Sequence, residues 1–224
     1  MAVLNRDCSN DPEAEKELAA LGVKSLPVSV RGDKMVVGFN VEELREAFGI
    51  EAQAAGPLPA ARMLELYRMV FEGARRAVRQ IPQEKFDWVS PGRKRTLRQL
   101  TWHIFERPDL CMGASETGDY TQEMVMKYET LAEDYRTAGD ICAYADQIEV
   151  KLADFLENER DRLAKKIVSY MGPVTVHELL EMALGHAVQH IRHTYHYFGL
   201  LGIEPDRPLV REDYEGVPVP EELF

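Results

Sequence analysis

The strongest constraint on this chain is a run of apolar residues at helical spacing. Ala60, Leu64, Tyr67, Phe71, Ala74, Val78 and Ile81 recur at steps of three and four, which lines them up on one stripe of an α-helix. The stripe predicts a helix of about six turns, ended by Pro82, whose nitrogen has no hydrogen to donate. A second helix starts at the capping pattern Thr96-Leu97-Arg98-Gln99 and carries Leu100, His103 and Ile104 until Pro108 kinks or stops it. The polar stretch from Gly113 to Gln122 then reads as loop. A third helix is expected from near Asp140 to Asn158 on Ile141, Tyr144, Ile148, Leu152 and Phe155. The fourth runs from the capping pattern Thr175-Val176-His177-Glu178 to about Leu201, where Gly202 closes it. Four long amphipathic segments can bury their stripes against one another, so residues 59–224 are expected to form a four-helix bundle.

The first 50 residues read differently. Pro12 and the acidic residues after it start a short helix that Gly22 ends. Residues 26–30 and 35–39 are strand-like, and Arg31-Gly32-Asp33-Lys34 between them supplies a turn. Asn40 can cap a further helix, Val41 to Phe48, that ends at Gly49. Residues 51–58 hold three Ala, a Gly and a Pro and read as a linker. The fold class is therefore mainly α, a helical bundle preceded by a small α/β segment. A two-stranded sheet is marginal alone. It is expected to be completed or covered by the bundle or by a second subunit, and a homodimer would cover its edge.

Charge and composition narrow the partners. The formal net charge is -11 and the longest basic run is Arg93-Lys94-Arg95, so a phosphate backbone would be repelled and nucleic acid is not expected. No stretch approaches the roughly 20 apolar residues of a membrane span, and the N-terminus turns acidic before any apolar run. Cys8, Cys111 and Cys142 are isolated and show no CxxC spacing, which suits a reducing cytoplasm.

Five of the six histidines fall on the last helix, His177 in its first turn and the others at 186, 190, 193 and 196. An i to i+4 step sets His186 and His190 one above the other on one face. Leu179 and Ala183 extend that stripe before them and Tyr197 and Leu201 after His193, so all three should point into the bundle. His103, three residues after Leu100, lies on the inner side of the second helix and can meet the pair. Buried imidazoles are costly unless each finds a hydrogen bond or a metal. An isolated HxxxH pair arises by chance and fits core or subunit-interface histidines satisfied by carbonyls or carboxylates. With His103 added, the balance moves to a metal, because three imidazoles and an open position form a catalytic zinc set, and imidazole also suits nickel or iron. His177, in the first turn, is expected on the surface, and His196 is off the stripe and partly exposed.

Gly185-His186-Ala187-Val188-Gln189-His190, followed by Tyr197-Phe198-Gly199-Leu200-Leu201-Gly202-Ile203-Glu204-Pro205, resembles the last helix of the DinB-like family of metal-dependent bundles. Leu97-Arg98-Gln99-Leu100-Thr101-Trp102-His103-Ile104 resembles its second helix, which carries the remaining ligand. The resemblance, over residues 59–208, implies a four-helix bundle with His103, His186 and His190 as metal ligands. Where the family often has Gln three residues after the last ligand, this chain has His193, which could be an outer partner, a substrate contact or an alternative ligand. Residues 17–28 and Val37-Gly38-Phe39-Asn40 resemble the second half of a glutaredoxin. That resemblance implies a cis Pro27 which, with Leu26, borders a thiol-binding groove. The CxxC half is missing, and Cys8 lies too close to the following helix to replace the nucleophile.

As a class, DinB-like bundles resemble thiol S-transferases that use low-molecular-weight thiols such as bacillithiol, mycothiol or glutathione. The resemblance implies a divalent metal, zinc first, that activates such a thiol against an electrophile. One rival is a metal-dependent hydrolase using bound water, with Glu106, one turn after His103, as its base. Another is a non-enzymatic stress or structural protein whose metal merely holds the bundle. A closed four-ligand site would favour structure, and an open position catalysis.

Overall fold

The computed structural model describes residues 4, 6, 11–23, 28–37, 41–49, 57–91 and 94–219. The chain divides into two compact units, residues 1–54 with 170–173 and residues 55–169 with 174–224.

In the smaller unit, helix α1 (Pro12–Ala20) is followed by strands β1 (Val28–Arg31) and β2 (Lys34–Val37) and helix α2 (Val41–Phe48). Asp11 sets the start of α1, its carboxylate accepting from the N–H groups of Glu13 and Ala14 at 3.0 and 3.1 Å. The strands pair antiparallel, Val28 opposite Val37 and Arg31 opposite Lys34. Gly32 takes the left-handed conformation (φ 63°) that this tight turn requires. α2 packs on both strands, Val36 and Phe48 are buried, and Arg31 donates to the Phe48 carbonyl. Among the described residues the sheet has two strands. Cys8, the Leu26-Pro27 pair and the Asn40 cap lie outside the described residues.

The larger unit is the bundle, built from α3 (Ala60–Gln80), α4 (Leu97–Thr117), α6 (Ala138–Asn158) and α8 (Val176–Leu201). Shorter elements lie between them: β3 (Asp119–Tyr120), α5 (Gln122–Thr130), α7 (Arg160–Leu163), β4 (Lys166–Ser169) and β5 (Gly172–Thr175). β3 pairs in parallel with β4, Asp119 opposite Val168 and Tyr120 opposite Ser169. α3 and α4 each pack against both α6 and α8. The predicted stripe of α3 is the core: Tyr67, Phe71, Ala74 and Val78 are buried, and Phe71 meets Tyr67 and Phe105 edge to face at 5.7 and 4.9 Å. Both predicted capping boxes form. Thr96 accepts from Gln99 N at 3.1 Å while the Gln99 amide oxygen accepts from Thr96 N at 3.0 Å, and Thr175 and Glu178 do the same at the head of α8.

The structure corrects one sequence expectation, the loop after Gly113, and narrows two others. α4 runs through Pro108 to Thr117, because the proline removes one backbone hydrogen bond while burial on both flanks holds the helix. The expected loop from Gly113 to Gln122 is therefore the last turn of α4, the left-handed cap Gly118 (φ 85°), β3 and the start of α5. α6 begins at Ala138, because Thr137 and Asp140 form a third capping box at 3.1 and 2.8 Å.

Residues 203–219 close over α3 and α8 through two glycines. A Cβ on Gly73 would stand 2.8 Å from the Leu209 side chain, and one on Gly185 would stand 2.8 Å from the Pro218 carbonyl oxygen. The second obstacle is backbone and cannot swing aside. Gly185→Val is therefore expected to lower unfolding free energy by about 1–3 kcal/mol through overpacking, measured by urea denaturation. An unchanged midpoint would mean that the C-terminal segment does not seat against α8.

Candidate metal centre

Two helices present the histidines. α8 carries His186 and His190 one turn apart, and α4 carries His103 opposite them. Nε2 of His186 and Nε2 of His190 lie 3.0 Å apart. The His103 ring centroid is 4.7 Å from that of His186 and 4.8 Å from that of His190. Each of the three offers one nitrogen, all within 4.8 Å of one another. His190 and His103 are 1% and 3% exposed, and His186 is half-buried. The His186–His190 pair has the separation of two ligands on one divalent ion. Two nitrogens about 2.0–2.1 Å from one ion at tetrahedral to right-angle separation stand roughly 2.9–3.4 Å apart, and the observed 3.0 Å falls in that span.

Around His103 the surroundings are ionic. Glu106, on the next turn of α4 and 0% exposed, sets Oε1 2.6 Å from His103 Nδ1. Burial pushes its carboxyl up to about 7, against the opposing pull of Arg107 and Arg95. Arg107 Nη2 lies 3.0 Å from Glu106 Oε1 and 3.1 Å from His103 Nε2, and Arg107 Nη1 donates to the Tyr120 hydroxyl at 3.3 Å. Below them the Cys111 thiol is buried and its pKa is pushed up to about 12 by that burial, so it is held protonated.

Glu129 was not anticipated from the sequence. It stands on α5, where Met124 and Val125 are only half-buried and the apolar period is too weak to announce a helix. Its Oε1 is 2.8 Å from Arg95, 3.6 Å from Arg107 and 3.9 Å from His103 Nε2. A cleft of about 190 Å³ lined by Lys94, Arg95, Gln99, Trp102, His103 and Glu129 opens there, with His103 the one member of the histidine cluster on its wall.

The remaining sequence candidates sit outside the three-histidine cluster. His193 is buried, with its Nδ1 donating to the Gln189 carbonyl at 2.8 Å and its ring centroid 5.9 Å from that of His190. It stacks on Tyr197 and stands beside the cluster. His196 is exposed, as its position off the stripe implies. His177, expected on the surface, is half-buried, and its Nε2 donates to the Leu58 carbonyl at 2.9 Å. The segment leading into α3 passes over the first turn of α8, and the N–H of Leu58 meets Glu181 there.

The family model of the DinB superfamily matches residues 63–194, more than half of the chain and all three converging histidines. The crystal structure of a DinB-like protein from Bacillus subtilis, YjoA, is similar with a TM-score of 0.46 and 18% identity, over 65% of this chain and 92% of that one. No curated protein matches the chain. Among the described residues no helix is long and apolar enough to cross a membrane.

Proposed function

This chain belongs to the DinB superfamily, and from that membership and its converged imidazoles we propose a metal-dependent enzyme that activates a low-molecular-weight thiol for transfer to an electrophile. His103, His186 and His190 hold the divalent ion, zinc first. The observation that carries the reading is the 3.0 Å approach of two imidazole nitrogens with a third ring converging on them from the opposite helix. Bound to three neutral imidazoles, such an ion keeps its positive charge and an open position, and supplies the Lewis acidity that favours the thiolate over the thiol.

The chain's own residues do the rest. Glu106 fixes the orientation of the His103 ring through its contact with Nδ1, as outer carboxylates do for metal-bound histidines. Arg107 balances the charge of Glu106 and Glu129. The cleft admits reactants beside His103. The reacting thiol comes from outside the described chain, since Cys111 and Cys142 are buried and burial raises the pKa of both. Zinc as the particular ion, a role for His193 as substrate contact, and the smaller unit's part in thiol handling, Leu26 and Pro27 included, belong to the same proposal. So does pairing of two chains.

The test begins with metal analysis of the purified protein, with about one divalent ion per chain expected. The loaded protein is then offered glutathione, N-acetylcysteine and other small thiols with monochlorobimane as electrophile. Metal-dependent conjugation is the expected result. A loaded protein that accelerates no thiol but hydrolyses esters or amides would transfer the reading to a hydrolase, whose base would be Glu129 on the cleft wall rather than the buried Glu106. Glu106→Gln is expected to weaken metal affinity about 10–100-fold by competition with a chromophoric chelator, with helical content retained. Unchanged affinity would remove the orienting role.

A further inference from the structure

We propose that the cleft beside His103 docks the carboxylate of a small acidic thiol, held by the Lys94 ammonium and the indole N–H of Trp102; this rests on the thiol reading above and names the substrate's second functional group.

The cleft's charges single out Lys94. Of its lining, Arg95 and Glu129 cancel each other at 2.8 Å. Gln99 is occupied at both ends of its amide, accepting from Thr96 N at 3.0 Å and donating to Glu133 at 3.3 Å. Among the described residues Lys94 makes no ion pair. In a chain of net charge -11, acidic molecules are repelled at long range, and an uncompensated cation at a cleft mouth is a local exception that selects where an anion can dock.

The backbone beneath Lys94 is also unusual. Its φ is 52°, in the left-handed region, a conformation that is strained for a non-glycine residue and persists only where its surroundings enforce it. Here a tight turn enforces it: Ser90 N donates to the Arg95 carbonyl at 2.8 Å, Lys94 N donates to the Ser90 carbonyl at 3.2 Å, and Val89 bridges Thr96. The turn delivers the lysine to the cleft wall.

Trp102 supplies the second donor. It is 1% exposed and stacks against Tyr135 and Tyr144 at 5.7 Å each, so its ring is held. Its Nε1 hydrogen finds no acceptor among the described residues. An indole nitrogen only donates, and burying a donor without an acceptor is unfavourable. An oxygen entering the cleft recovers that cost. Trp102 and His103 both line the cleft, so a molecule anchored by its carboxylate at these two donors lies beside His103. The cleft volume, about 190 Å³, is below the roughly 300–1,000 Å³ of sites for drug-sized ligands and suits a cysteine-sized group.

The test uses calorimetric titration of the full zinc-loaded chain with three probes: N-acetylcysteine, its methyl ester and N-acetylalanine. The free acid of N-acetylcysteine is expected to bind about tenfold more tightly than the ester, the size of one charge-assisted hydrogen bond. Lys94→Glu is expected to erase that preference without weakening the ester, and Lys94→Arg to keep it. Acid and ester binding equally to the unaltered protein, or a preference that survives Lys94→Glu, overturns the carboxylate site while leaving the thiol reading intact. If N-acetylalanine binds as tightly as N-acetylcysteine and depends on Lys94, the carboxylate site stands and the thiol reading falls.

Discussion

His190→Ala is expected to abolish stoichiometric binding of a divalent metal and, with it, any thiol transfer. The loss should exceed the roughly 10–100-fold that follows removal of an outer partner such as Glu106, because His190 supplies one of three converging nitrogens from a position 1% exposed. Equilibrium dialysis with zinc and competition against a chromophoric chelator measure it. Circular dichroism should meanwhile remain that of a helical bundle, since the apolar stripes rather than the ion assemble the helices. A variant that still holds one ion per chain with unaltered affinity would remove His190 from the site and the catalytic reading with it.

Phe71→Ala is the complementary experiment, in which the fold is lost before the site. Phe71 is fully buried in α3 and touches Tyr67 on its own helix and Phe105 on α4. Truncation removes both edge-to-face contacts and leaves a cavity among helices that cannot fully collapse, for an expected cost of about 3–5 kcal/mol. That is a large part of the roughly 5–15 kcal/mol that stabilises a typical domain. Urea denaturation followed by circular dichroism reads it. A cost below about 1 kcal/mol would mean that the α3 to α4 contact is not part of the cooperative core. The pair of variants separates two roles that one bundle combines, since His190→Ala should spare folding and Phe71→Ala should undermine it in the presence or absence of metal.

Much of the bundle was legible because its signals are local. The stripe from Ala60 to Ile81, the boxes at Thr96 and Thr175, and the i,i+4 pair His186 and His190 depend on the period of a helix and on hydrogen bonds within four residues. Each needs no knowledge of the rest of the chain. The same locality explains the errors. Pro108 left a kink or a stop open, and only the burial of α4 among its neighbours shows why the helix continues. The third capping box, Thr137 with Asp140, was readable by the same rule that found the other two, and its acidic partner in place of Glu or Gln concealed it. His177 looked like a surface residue until the backbone at Leu58 crossed over it.

What the order of residues decided, then, is the four long helices, the caps at Thr96 and Thr175, their inner faces, and the pairing of two histidines one turn apart. Each follows from backbone geometry over a few residues. The sequence put His103 on an inner face, more than 80 positions from its partners; the distance at which it meets them, the burial of Glu106 and Arg107 against it, and the arrival of Glu129 on α5 at the same cleft came from packing alone. Those contacts join elements with no sequence relation to one another, and their distances depend on how four stripes and two close-fitting glycines, Gly73 and Gly185, set the helices at their final depth.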